Sequence, residues 1–97
     1  MLESVIQAYF IGQVKERGLG IAVKVDCGSM RGWPDVTYID DIGRAHLIEF
    51  KKAGGRISPQ QKDLHDKLFK LGREVHIIDS KELADDFLEW VTDRCQP

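Results

Sequence analysis

The strongest constraint in this chain is a pair of apolar segments, 34–39 and 45–51, joined by Asp40-Asp41-Ile42-Gly43-Arg44. The joining residues are turn formers, so the two segments predict a β-hairpin. Side chains alternate along a strand. Val36 and Tyr38 therefore share one face of the first strand, with Asp35, Thr37 and Ile39 on the other. On the second strand, Ile48 and Phe50 lie opposite Leu47, Glu49 and Lys51. Pairing 36 with 48 brings the apolar faces together, and a one-residue slip would mix them. The same register sets Asp35 across from Glu49.

The rest of the chain builds around that hairpin. Leu2, Val5, Ile6, Tyr9, Phe10 and Val14 recur at helical spacing and predict a helix over 2–17, ended by Gly18 and Gly20. Ile21, Val23 and Val25 alternate and predict a strand over 20–26. A glycine-bearing loop, 27–33, carries Arg31 and Trp33. After a Gly-Gly loop at 53–57, Ser58-Pro59-Gln60-Gln61 opens a second helix as a capping box, with Leu64, Leu68 and Leu71 as its buried stripe and Gly72 at its end. Residues 73–78 predict a fourth strand. A last helix runs from about 80 to 94, with Leu83, Phe87, Leu88 and Val91 inward. The order is α-β-β-β-α-β-α. The helix between the third and fourth strands is a crossover that allows those strands to be parallel neighbours. The fold class is mixed α/β, a small mixed sheet flanked by helices. At 97 residues, one domain over 1–97 is expected.

Charge is distributed unevenly beneath a net value of −2. Residues 51–73 carry seven basic and two acidic side chains, and residues 74–97 carry two basic and seven acidic. Local patches rather than net charge govern phosphate contact; two solvated helix faces of opposite sign are the simpler alternative. No apolar run approaches the roughly 18 residues that suggest a membrane span. Met1-Leu2-Glu3-Ser4 lacks the basic and apolar segments of a signal peptide. Cys27 and Cys95 form no disulfide framework, and a reducing, cytoplasmic setting is expected. His46, His65 and His76 lack zinc-ligand spacing. Cys27 reads as inert, His76 as structural, Trp90 as packing the last helix, and Trp33 as either packing its loop or stacking on a base.

The chemistry concentrates at Asp35, Glu49 and Lys51. Directly paired residues of a hairpin have Cβ atoms about 4.5–5.5 Å apart. Two carboxylates so placed repel each other, more strongly if buried. Lys51 on the same face offsets this in part, and a divalent cation such as Mg²⁺, which takes oxygen ligands, offsets it better. A surface salt-bridge cluster is the common alternative for such a trio. Glu49 and Lys51, however, interrupt the apolar run Leu47-Ile48-Glu49-Phe50-Lys51, and charges buried in a central strand require a reason. A carboxylate-held metal beside a lysine suits phosphodiester hydrolysis. The metal polarises a non-bridging oxygen and acidifies a bound water, and the lysine orients that water or stabilises phosphate charge.

Pro34-Asp35 followed by Glu49-x-Lys51 resembles the core motif of the PD-(D/E)xK nucleases, whose core is restriction-endonuclease-like. Glu3 in the first helix, Gly32-Trp33-Pro34-Asp35, Glu49-x-Lys51 and Ser58-Pro59-Gln60-Gln61, taken together over nearly the whole chain, resemble the VRR-NUC branch. The resemblance implies Asp35, Glu49 and the backbone carbonyl of Phe50 as metal ligands, with Mg²⁺ as the cofactor and Mn²⁺ able to substitute. It implies Lys51 as the catalytic lysine. Glu3 would act as a ligand through water or to a second metal, where a plain first-turn acid favoured by the helix dipole is the alternative. Gln61 would hold the lysine or the phosphate, or else serve the capping box; these are expected to be alternatives for one side chain. Arg31, Lys52, Arg56 and Lys62 are the expected contacts to the DNA backbone, and each could instead be a solvated charge.

The implied activity is a metal-dependent, structure-selective DNA endonuclease, with four-way (Holliday) junctions as a candidate substrate. The phage and prophage members that the chain resembles are similar to junction-resolving enzymes, which implies a homodimer in a bacterial cytoplasm, since symmetrical cutting needs two sites. The apolar residues of the first helix, including Ile11, fall on more than one side and leave a face for a second subunit. A nicking or flap nuclease subunit of a repair complex is one alternative. A non-catalytic nucleic-acid-binding module is another, and it gives no reason for two repelling carboxylates.

Overall fold

The computed structural model describes residues 1–26, 28 and 30–95, the last two by backbone alone. The reading of Cys27 as inert lies outside the described residues. The elements are α1 (Glu3–Arg17), β1 (Gly20–Lys24), β2 (Val36–Asp40), β3 (Ala45–Phe50), α2 (Pro59–Lys70), β4 (Val75–Ile78) and α3 (Lys81–Cys95). The strands form one sheet in the order β1-β2-β3-β4. The first three are an antiparallel meander, and β4 joins β3 in parallel after the α2 crossover. The α-β-β-β-α-β-α order and mixed α/β class therefore stand.

The hairpin adopts the register that its apolar pattern requires, with Val36 opposite Ile48 and Tyr38 opposite His46. Its turn closes through Asp40 N–H to the Arg44 carbonyl at 2.9 Å and Gly43 N–H to the Asp40 carbonyl at 3.0 Å. Gly43 sits at φ 86°, the left-handed position that three-residue hairpin loops reserve for glycine. Val36, Tyr38, Ile48 and Phe50 are fully buried. They pack against Ile6, Phe10 and Val14 of α1 and Ala84, Leu88 and Val91 of α3. One sheet face is thus sealed by two helices. Tyr9 and Arg17 of α1 both bond Asp85 of α3, at 2.8 and 2.9 Å, tying those helices together.

The opposite face is covered differently. It carries Leu47 and Glu49 of β3, both buried, under α2. Away from α2 it is open. Ile21 and Val23 of β1 are 66% and 51% exposed, while the small Ala22 packs on the core. The alternation in β1 was legible, but its larger residues point outward. Ala22 pairs with Tyr38, whose ring already fills the inner layer.

Four apolar positions differ from expectation. Leu83 of α3 is exposed and Ala84 takes the buried place; Leu71 is 80% exposed, and Leu68 is the buried residue of α2. Leu71 is the C-cap of α2, beyond the last turn that faces the sheet. At the start of α1, Leu2 (its N-cap) and Val5 are exposed. Several predicted ends also shorten. Strand β2 starts at Val36 because Pro34 has no N–H to donate, and β4 starts at Val75.

Candidate active site

The site forms where β3 leaves the sheet. The hairpin register carries Asp35 to the edge of Phe50, and the Asp35 carboxylate accepts the Phe50 N–H at 2.9 Å. Glu49 is the most buried acid, 2% exposed. Its Oε2 accepts from Gln61 Nε2 at 3.0 Å and lies 3.5 Å from the Lys51 ammonium. Its Oε1 is buried with no hydrogen-bond partner. Burial pushes the Glu49 carboxyl up to about 7, the nearby Asp35 carboxylate pushes the same way, and Lys51 opposes them. A proton on Glu49 relieves the conflict by removing its charge.

Helix α2 delivers Gln61 to this point. Ser58 is its N-cap, and the box is reciprocal: Gln61 N–H donates to Ser58 Oγ at 3.1 Å, and Ser58 N–H donates to Gln61 Oε1 at 2.8 Å. The same Gln61 side chain reaches Glu49 through its NH₂ group. The capping role read from sequence is present, and the free end of the same side chain holds Glu49 rather than Lys51. An amide has separate acceptor and donor ends, and the cap uses one while Glu49 uses the other.

The loop before Asp35 is pressed against this first turn of α2. Gly32 sits at φ 83°, and a Cβ there would lie 3.2 Å from the Gln60 carbonyl oxygen and the Gln61 Cα. Only a residue without a side chain lets Gly32-Trp33-Pro34-Asp35 and Gln61 approach so closely. Pro34 is buried beside them.

The other expected site residues are spread more widely. Glu3 opens α1, is exposed, and makes no hydrogen bond or ion pair among the described residues. Among those residues, no three His, Cys, Asp or Glu side chains gather to hold a metal. Asp35 and Glu49 are brought together, and Glu3 does not complete a set of three with them. Arg31, Lys52, Arg56 and Lys62 are all exposed, and Lys62 is 3.5 Å from Asp66 on its own helix. Trp33 is half-buried. Trp90 and His76 join a ring cluster with His46 and Phe87 on the far side of the sheet.

The donor set nevertheless fits a divalent cation. A buried oxygen without a partner, a second carboxylate that repels it, and an upward-shifted acid together describe a pair whose charge Lys51 offsets only in part. Mg²⁺ commonly takes one or two carboxylates and completes its shell with water.

The four-stranded mixed sheet flanked by helices is that of a nuclease fold. A solved structure described as a VRR_NUC domain matches with TM-score 0.81 and 25% identity, over 90% of this chain and 94% of that one. A second, a VRR_NUC domain protein, matches in fold with TM-score 0.76 and 18% identity, over 95% and 89%. "Putative nuclease p44" of Acyrthosiphon pisum secondary endosymbiont phage 1 is 33% identical over 82 residues, 84% of this chain and 87% of that protein. No family model matches the sequence. The chain belongs to the VRR-NUC nucleases.

Proposed function

We propose that this nuclease is a divalent-metal-dependent, structure-selective DNA endonuclease that acts on branched DNA, four-way junctions included, as a homodimer. The observation that carries the metal dependence is Glu49 Oε1, buried and unpartnered beside Asp35. Asp35, Glu49 and the Phe50 carbonyl are the proposed ligands of Mg²⁺, with Mn²⁺ able to substitute. Such a cation would polarise the attacked phosphate and acidify a water. Gln61 holds Glu49 Oε2 in place. Lys51 orients the water or meets the charge that develops on the phosphate. Glu3, exposed in the first turn of α1, would reach a cation only through a water or at a second metal. Arg31, Lys52, Arg56 and Lys62 stand exposed to take up backbone phosphates. A domain of this size has little surface for reading sequence, which favours recognition by shape.

The dimer reading rests on apolar surface. Leu2 and Val5 at the start of α1 and Ile21, Val23 and Ile39 of the sheet are exposed. A two-fold-related copy would bring two active sites to a junction. These residues lie on two sides of the sheet, and a repair-complex partner seated on either would give the nicking or flap reading.

The test is cleavage of a labelled four-way junction beside linear duplex, a flap and single-stranded DNA, in Mg²⁺, Mn²⁺ or EDTA, with the mass in solution measured in parallel. Metal-dependent, paired symmetrical nicks from a dimer, lost in Lys51→Ala, are the expected result. Cleavage by a monomer that prefers flaps would favour the alternative. Binding without cleavage in any metal would overturn the catalytic reading.

A further inference from the structure

One polar group next to the site has no assigned task. His65 lies one turn after Gln61, so the two side chains share a helix face. That face is turned toward β3, because Gln61 reaches Glu49. His65 Nε2 is buried without a hydrogen-bond partner, as Glu49 Oε1 is. Burial pushes the His65 imidazole down; Asp66 opposes this, and the Lys51 and Lys62 ammoniums add to it. The ring is therefore neutral near pH 7, with one N–H and one lone pair. Beside a cation, a lone pair is favoured over an N–H, which makes Nε2 the acceptor.

Lys51 is loosely held by Glu49. Its ammonium has three donors and stands 3.5 Å from Glu49 Oε2, a long contact. A cation taking up the charge of Glu49 would weaken that hold further.

We propose that His65 is a positioning residue for Lys51, its buried Nε2 receiving the Lys51 ammonium once the charge of Glu49 is engaged elsewhere, so that Lys51 stays aimed at the phosphate. The proposal rests on Lys51 being the working lysine, the reading given above. A purely structural His65 would be a poor choice, since a buried polar atom without a partner lowers stability and an apolar residue would not.

Two measurements test it. The first follows the His65 ¹⁵Nε2 signal without metal. Glu49→Leu removes the Lys51 acceptor with an apolar side chain of similar volume. The signal should move upfield in Glu49→Leu, as for a lone pair that accepts a hydrogen bond, and return when Lys51→Ala is added. The second compares His65→Leu with His65→Gln, whose amide can replace Nε2. His65→Leu should lower kcat about 10- to 100-fold, as a displaced catalytic group does, with KM for DNA unchanged and thermal stability equal or higher. His65→Gln should recover most of the rate. An unmoved nitrogen signal overturns the proposal, as does wild-type cleavage by His65→Leu or a His65→Gln as slow as His65→Leu. If the wild type cuts no substrate, the nuclease reading fails, and the nitrogen signal alone decides whether Lys51 and His65 meet.

Discussion

The β2–β3 hairpin buries a carboxylate at each end, and the two are treated oppositely. At the turn, Asp40 is 4% exposed and fully engaged. Its Oδ1 accepts N–H groups from Ile42 at 3.1 Å and Arg44 at 2.9 Å, and its Oδ2 meets His46 Nε2 at 2.8 Å. Burial pushes the Asp40 carboxyl up, but His46 and those N–H groups outweigh it and leave it below the usual value. At the open end, Glu49 is as deeply buried, keeps one oxygen unpartnered, and is raised to about 7. The two acids share a hairpin and a degree of burial. They differ in whether the surrounding chain supplies their hydrogen bonds. A satisfied buried acid is structural, and the unsatisfied one is the group on which the proposed cation binding rests.

That contrast can be broken by substitution. Lys51→Ala should abolish cleavage, by about 10²–10⁴-fold or more, the usual weight of a positioned proton-transfer group, while cation binding followed by calorimetry persists. Asp35→Ala and Glu49→Ala should lose cleavage and weaken cation binding together. If Lys51→Ala cut at the wild-type rate, the open end would not be the catalytic one. At the closed end, Asp40→Ala should cost about 3 kcal/mol in urea unfolding, since it strands His46 and two backbone N–H groups. A loss as small as that of a surface acid would make Asp40 no different from a solvated turn residue.

A gentler pair of experiments uses pH. The Asp40 carboxyl is lowered, so its contribution is present above its unfolded value and is lost as pH falls through its folded value, in the acid range. The Glu49 carboxyl is raised, so its contribution is present below its unfolded value and is lost as pH rises through about 7. In EDTA, Glu49→Gln should therefore raise stability at pH 8 by about 1–3 kcal/mol, and the gain should shrink toward pH 5. A Glu49→Gln that is equally stable at both pH values would remove the distinction between the two acids. His76, lowered chiefly by burial, adds to the acid sensitivity in the wild type because only the unfolded ring takes a proton as pH drops below its usual range.

The smallest effects lie at the rim. Gly32→Ala should cost about 1–2 kcal/mol from its left-handed backbone, and it should slow cleavage further by pushing the Asp35 loop off Gln61. Lys62→Ala should leave the fold intact, since its pairing with Asp66 is exposed. It should lower the salt slope of DNA binding by about one if Lys62 contacts a phosphate.

Much of this was legible in the sequence, for a stated reason. Alternation at 36, 38, 48 and 50 admits one register, and that register alone brings Asp35 to the Glu49–Phe50 end. Turn and cap chemistry likewise announced the hairpin at 40–44 and the start of α2 at Ser58. These are local rules with periods of two and 3.6 residues, readable along a line. The tertiary structure decided what periodicity cannot express. It chose which face of β1 meets the core, because the Tyr38 ring claims the space opposite Ala22. It let Gln61 cap its helix and hold Glu49 at once, and left Glu3 apart from the carboxylate pair. Each depends on how two elements distant in the chain meet, and side-chain satisfaction is a property of that meeting and of no single segment.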